Sequence, residues 1–342
     1  MSTPADRLLA VRVFREEANR AGFSRMGIAA AGPPPRFERY QEWIGQERHA
    51  GMDYLRRSAG QRADPGTLLP GVASIVCLSY PYSAAAPVAE DGSRIARYAL
   101  GADYHRTLRD RTETMAARVS ERIGPFRYRA CVDSAPLSER SFAAAAGLGW
   151  IGKNGCLIDP DHGSFLLLAE ILIDLDLPPD NPLAEQCGSC VRCLAECPTG
   201  AFLEPGLLDA SRCIAYWTIE HRGPIPDEIK PHIGENVFGC DLCQEVCPWN
   251  GPLLRDAAPA GTNVPTRAEW LATGPGAWRR EWGGTALARA GRRGVQRNAA
   301  ISAGASGDRS ALPALPAAGV TGERGLADAA RWAAGRLSAL GD

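Results

Sequence analysis

Residues 187–198 read Cys187-Gly-Ser-Cys190-Val-Arg-Cys193-Leu-Ala-Glu-Cys197-Pro198, and residues 240–248 read Cys240-Asp-Leu-Cys243-Gln-Glu-Val-Cys247-Pro248, with Cys213 between them. Eight of the chain's 11 cysteines therefore lie between positions 187 and 247. The first run has the bacterial ferredoxin spacing C-x2-C-x2-C-x3-C-P, in which three close cysteines hold one [4Fe-4S] cluster and the fourth reaches across to a second. A tight loop can aim three sulfurs at one cube while the last leads a helix away. The two-cluster template assigns Cys187, Cys190, Cys193 and Cys247 to one cluster, and Cys197, Cys240, Cys243 and, by elimination, Cys213 to the other. Four-cysteine zinc sites also use C-x2-C pairs, but they seldom follow x2, x2 with x3-Cys-Pro.

At 342 residues and 45% apolar content the chain can bury a large core and divide into two or three units. Its formal charge of −1 excludes no partner by itself. The start has the pattern of an amphipathic helix closed by Gly22, with neither an apolar signal core nor a twin-arginine sequence. The apolar run from Phe165 is interrupted by Glu170, Asp174 and Asp176, so no membrane span is expected. These features point to a cytoplasmic protein, where thiols stay reduced. A monomer is the default expectation. Lysine occurs only at Lys153 and Lys230; every other basic chain is arginine.

Residues 1–177 read as α/β. Ala73–Tyr80 and Arg127–Asp133 are β-rich, Phe165–Ile173 is a buried strand or helix, and helices are expected over Thr107–Ile123 and Pro136–Ala146. Residues 178–253 form the ferredoxin-like module. From 254 to 342 the composition turns to alanine, glycine and arginine, with helical units at Thr285–Ala303 and Gly325–Leu340 that suggest a HEAT-like cap. The fold expected is thus a multidomain α+β and α/β chain with a C-terminal α-helical repeat.

Clusters move only electrons, so a substrate-reducing centre must lie elsewhere. Val132-Asp133-Ser134-Ala135-Pro136 ends a β-rich run and opens a helix, a position from which a carboxylate can be aimed into a cleft. The same residues could simply cap that helix. Gly147, Gly149 and Gly152 give G-x-G-x-x-G, but after a predicted helix rather than a strand, which argues against a dinucleotide site. Lys153 and Asn154 beside them offer a charge and an amide. Arg97-Tyr-Ala-Leu-Gly-Ala-Asp-Tyr104-His105 is a second polar and aromatic cluster, a site or a solvated loop, whose His105 could donate protons or cap a helix. Cys77 and Cys131 read as small buried residues and Cys156 as a neighbour of the Lys153 corner.

Asp133-Ser-Ala-Pro136, the block Ala146-Gly-Leu-Gly-Trp-Ile-Gly-Lys-Asn154, the eight-cysteine order and Ile219-Glu-His-Arg-Gly-Pro-Ile-Pro226 together resemble the epoxyqueuosine reductase family over nearly the whole chain. The resemblance implies a cobalamin-dependent enzyme that removes the epoxide oxygen of epoxyqueuosine at the tRNA wobble position, with two [4Fe-4S] clusters relaying electrons from an external low-potential donor. It makes Asp133 the proton donor, which at neutral pH should be protonated, buried and raised in pKa. Lys153 and Asn154 are carried over as cobalamin neighbours, and Arg97 and Tyr104 are further cofactor-binding candidates. The 97–105 stretch has no cysteine, so no axial cobalt ligand is expected. An anticodon loop needs phosphate contacts, for which the tail supplies Arg279, Arg280, Arg289, Arg292, Arg293, Arg297 and the neighbouring Asn298. Two other readings compete. A corrinoid reductive dehalogenase would normally carry a twin-arginine signal and no helical tail; an iron–sulfur electron carrier would need no corrin.

Overall fold

The computed structural model describes residues 3–83, 85–257, 264–319 and 322–339. Helix α1 (Pro4–Arg20) begins with a reciprocal capping box between Thr3 and Asp6 and ends just before Gly22, whose φ of 83° reverses the chain. Four strands follow through the first half: β1 (Arg25–Ala30), β2 (Ser74–Pro81), β3 (Tyr128–Cys131) and β4 (Leu166–Ile173). They form one sheet in the order β1-β2-β4-β3, antiparallel at every pair. The ambiguous run from Phe165 is thus a central strand.

The α/β expectation for this unit is corrected to α+β. Its strands are buried on both faces, because α1 and α2 (Tyr104–Ile123) cover one side and α3 (Glu139–Ala145) the other. Burial on two faces produces the continuous apolar runs usual in parallel sheets, so composition misleads about strand direction. Phe14, Ile28, Val76, Met115, Val119 and Ile171 fill the first interface. Ile75, Cys77, Cys131, Phe142 and Leu172 fill the second. Cys77 and Cys131 are small core residues as expected.

The cysteine module follows as short turns and helices, Arg192–Glu196 and Leu242–Glu245, each carrying cluster-motif cysteines. In the tail, the expected unit from Thr285 is a 3-10 turn, Ala286–Arg289, then helix α4 (Gly291–Ser306); Gly291 at φ 70° divides them. The last unit is α5 (Arg324–Ala339), and Leu340 lies outside the described residues. The two helices cross closely at Gly304, where a Cβ would stand 2.6 Å from the Trp332 ring.

No core boundary follows residue 253. One continuous apolar cluster joins Ile214, Trp217, Val237 and Phe238 of the cysteine module to Trp270, Val295, Ile301 and Leu337 of the tail. The tail therefore does not stand as a body of its own, because α4 is buried against both segments. Among the described residues no helix is long and apolar enough to cross a membrane.

Candidate active site

Beyond β3 the chain turns at Asp133, whose φ of 51° is a left-handed conformation uncommon for a residue with a Cβ. This turn faces the first turn of α2. Asp103, the N-cap of α2, accepts the backbone N–H of His105. Its carboxylate also lies 2.6 Å from His105 Nδ1, while Nε2 lies 2.9 Å from Asp133 Oδ2. The Tyr104 hydroxyl donates to the same Asp133 oxygen at 2.8 Å, and the tyrosine and imidazole rings stack 4.1 Å apart. Asp103, His105 and Asp133 form a chain in which both imidazole nitrogens face carboxylates, the arrangement that favours an imidazolium.

The electrostatics follow. The His105 hydrogen bond holds the Asp133 carboxyl below the usual range; burial opposes this and Tyr104 adds to it. His105 is raised, first by Asp133, against burial, and then by Asp103. Burial and the adjoining Asp133 charge push Tyr104 far up. The expectation of a buried, protonated Asp133 is therefore corrected. Its side chain is 58% exposed, its carboxyl is held toward the ionised form, and the His105 imidazole is held toward the protonated one. The capping alternative also falls away: α3 starts at Glu139, its N-cap is Ser138, and no side chain caps it.

Tyr54, Tyr98, Glu220 and Arg289 complete the surroundings, from four distant points in the sequence. Arg289 forms a two-point ion pair with Glu220 at 3.0 and 2.7 Å, and its guanidinium lies 5.5 Å above the Tyr54 ring. Its charge helps lower Asp133, whose own charge raises Tyr54 and Tyr98. Glu220 ends a π-turn, Tyr216–Glu220, a local widening of the helix frequent at functional sites. No spacing in the sequence links these four residues; only the shared core of module and tail brings them together.

The cysteine thiols influence one another in two groups. Beyond burial, Cys193 is raised by Cys247, Cys187 and Cys190, whereas Cys240 and Cys243 are raised by Cys213, and Cys213 by Cys197. The thiols thus fall into the sets 187/190/193/247 and 197/213/240/243. Trp150, whose indole N–H has no oxygen or nitrogen acceptor among the described residues, lies against Cys187 and 4.8 Å from the Trp249 ring. That N–H suits a cluster sulfur. Cys156 lies near both sets and is pushed up to about 11 by burial.

Three of the cofactor candidates serve the cysteine loops. The Lys153 ammonium donates to the Gly188 carbonyl and its backbone N–H reaches the Cys187 sulfur. Asn154 donates to the Cys243 carbonyl at 3.4 Å and accepts the Cys156 N–H at 3.1 Å. The Lys153–Asn154 corner therefore bridges both thiol sets. Arg97, 6% exposed, is paired with Asp241 at 3.2 Å and Glu245 at 2.6 Å and stacks on Phe165. These residues are turned into the protein, and only Tyr104 and Asp133 of the cofactor candidates reach the cleft.

The tail arginines also divide. Arg297 is 2% exposed and donates to the carbonyls of Trp217, His221 and Gly223 and to the Asn298 side chain. Asn298 is fully buried and donates to the carbonyls of Thr218 and Val237. Neither side chain offers a surface to RNA, which corrects that expectation. Both belong to the buried face of α4, where charge in the sequence signals internal hydrogen bonding rather than a solvated stripe. Arg292 and Arg293 are half-buried and share Gln296, whereas Arg279, Arg280, Arg289 and Arg222 are exposed.

Two family models match: "4Fe-4S double cluster binding domain" over residues 186–250 and "Epoxyqueuosine reductase QueG, DUF1730" over residues 62–134. An epoxyqueuosine reductase from Xanthomonas campestris is 39% identical over 325 residues, 91% of either chain. The chain belongs to the epoxyqueuosine reductase family. A family member solved with an epoxyqueuosine-modified tRNA-Tyr stem loop superposes with a TM-score of 0.86 at 30% identity, covering 97% of this chain and 91% of the other. A Bacillus subtilis member, solved with its catalytic aspartate loop swung out of the active site, gives 0.84 at 29% identity over the same shares. All eight motif cysteines of this epoxyqueuosine reductase family chain lie inside the double-cluster match, so the zinc alternative is replaced by two 4Fe-4S clusters.

Proposed function

We propose that the chain reduces epoxyqueuosine to queuosine in tRNA, with cobalamin held in the cleft over Asp133. The observation that carries the reading is the Asp103–His105–Asp133 chain, opening into a cleft where the first unit, the cysteine module and the tail meet. The residues gathered at the Asp133 turn are compatible with an apolar ring system: Tyr54, Tyr98 and Tyr104 lie around a carboxylate that is 58% exposed. Both His105 nitrogens are engaged by carboxylates.

Removing an epoxide oxygen as water takes two electrons and two protons. When bound, cobalamin supplies the low-potential metal centre at which such a C–O bond can be reduced. The residues of the chain manage the protons. His105 holds one at Nε2, Asp133 passes it to the oxygen as the C–O bond breaks, Asp103 stabilises the imidazolium before transfer, and the second proton comes from solvent water. An ionised aspartate can thus act as the donor without a raised pKa, because the proton is stored one residue back. In the proposed ligand sets, Cys187, Cys190, Cys193 and Cys247 hold one cluster and Cys197, Cys213, Cys240 and Cys243 the other, with Lys153 and Asn154 fixing their loops.

For the tRNA, a relative was solved with a modified stem loop, and the exposed Arg222 and Arg289 beside the cleft, with Arg292 and Arg293 behind them, are the proposed phosphate contacts. In this reading residues 1–177 hold the corrin, 178–253 the clusters, and the tail is a HEAT-like cap on the RNA side. A cytoplasmic monomer served by an external low-potential donor completes it. The test is anaerobic reconstitution with iron, sulfide and cobalamin, followed by incubation with epoxyqueuosine tRNA and a strong reductant. Stoichiometric cobalt and queuosine formation are expected. Cluster-loaded protein that takes up no cobalamin would instead be an electron carrier.

A further inference from the structure

Beneath Asp133 lie two carboxyls that the proton chain does not use. Glu170 stands in the middle of β4, in register with Cys77 of β2 on one side and Cys131 of β3 on the other, and is fully buried. Glu139, the first residue of α3, brings its carboxyl onto that of Glu170. The same Glu139 accepts the backbone N–H of Asp133 on Oε1 at 2.5 Å. Neither Glu170 oxygen has an N–H or hydroxyl donor among the described residues. An isolated buried carboxylate in that position would be strongly unfavourable, and two would be worse. A single proton shared between them resolves the conflict, with Glu170 donating to Glu139.

We propose that Glu139 and Glu170, holding one proton between them, are the positioning pair that keeps the Asp133 loop in the cleft, and that loss of this proton releases the loop. This inference rests on the reading of Asp133 as the acid of the reaction. Asp133 needs such a hold because its backbone is strained: φ is 51°, a left-handed turn closed locally by the Ser134 N–H and hydroxyl, which donate to the Val132 carbonyl at 2.5 and 3.2 Å. Its N–H is donated to Glu139, while its carboxylate bonds hold only the side-chain end. The Arg109 guanidinium adds a further tie to the Ser134 hydroxyl at 3.2 Å, and a relative was solved with its catalytic aspartate loop swung out.

The groups facing the pair support a shared proton. Burial is the first cause raising both glutamates, and each is raised further by the other or by Asp133. Tyr104 and the thiols of Cys77 and Cys131 face it from α2, β2 and β3, and all three are themselves pushed up. Arg62, from the short helix Ala59–Ala63, is a cation that acts on Glu139, but its guanidinium is engaged by the Leu137 carbonyl and the Ser58 hydroxyl. Both carboxyls are thus held toward the protonated form, and two negative charges there are disfavoured together.

The experiment uses the reconstituted protein and three variants. Infrared spectra at neutral pH should show a carboxylic-acid C=O stretch that disappears in Glu170→Gln and persists, shifted, in Glu139→Gln. Glu139→Ala should speed amide hydrogen exchange across residues 132–138 by about tenfold or more, and Glu139→Gln, whose amide oxygen still accepts the Asp133 N–H, should stay within about threefold of wild type. Turnover should follow the same order: about tenfold lower kcat with unchanged KM in Glu139→Ala, rescue by Glu139→Gln, and loss of the alkaline limb of the pH profile in Glu170→Gln. A wild-type spectrum without the acid band, or Glu139→Ala exchanging like wild type, overturns the proposal. The infrared and exchange measurements involve no substrate, so they decide it even if the tRNA reading fails.

Discussion

Replacing Arg297 with alanine tests whether this tail arginine belongs to the fold or to an RNA surface. The guanidinium is 2% exposed and its ordinary pKa is lowered by burial to about 10, yet it donates to three backbone carbonyls, those of Trp217, His221 and Gly223. Alanine removes all three donors at once. Each buried acceptor left unmade costs about 1–3 kcal/mol, and water entering the vacated space recovers part of that, so the net loss should be about 3–5 kcal/mol. Anaerobic urea unfolding, followed by tryptophan fluorescence, should show the transition displaced to lower denaturant. At temperatures where the variant is folded, tRNA affinity and its salt slope should match wild type. Full stability combined with a reduced salt slope would refute the reasoning and return Arg297 to the RNA surface.

Lys153→Met removes the donor to the Gly188 carbonyl, so iron retained after anaerobic gel filtration should fall from about eight toward four as the Cys187 loop loosens. Replacing Arg222 and Arg289 together should weaken tRNA binding and lower its salt slope by up to about 1.4, at about 0.7 per single-strand phosphate contact. The pH dependence of stability has a definite sign. Asp133, lowered from 3.8, contributes fully above that value, and the contribution fades as pH falls through the lower folded pKa; His105, raised from 6.5, contributes fully below that value, and the contribution fades as pH rises through the higher folded pKa. Urea titrations of His105→Ala between these limits and above should show a flattened alkaline flank relative to wild type.

The sequence carries the cluster module almost completely, because cubane ligation demands fixed short spacings and the proline after the fourth cysteine. It also marks Asp133, through a short motif at the end of a strand. It misleads on strand direction, since helices on both faces of an antiparallel sheet give β2 and β4 the composition of parallel strands. It misleads again at Arg297 and Asn298, where polar residues in an alanine-rich helix look solvated but satisfy carbonyls of the cysteine module. Lys153 and Asn154, expected beside cobalamin, face the cysteine loops. Tyr98 lies within the 97–105 stretch, but Tyr54 and Glu139 carry no local signal. Glu170 interrupts an apolar run, and that interruption was the available clue to a buried acid.

The most direct measurement is turnover of Asp133→Asn on epoxyqueuosine tRNA, in protein checked for iron, cobalamin and tRNA binding. Asparagine keeps the size of the side chain and can still pair with Tyr104 and His105, but it cannot pass a proton. Iron, cobalamin and tRNA binding should be retained while queuosine formation falls by about two to four orders of magnitude. Turnover near that of wild type would contradict the account and place the proton delivery at another group in the cleft.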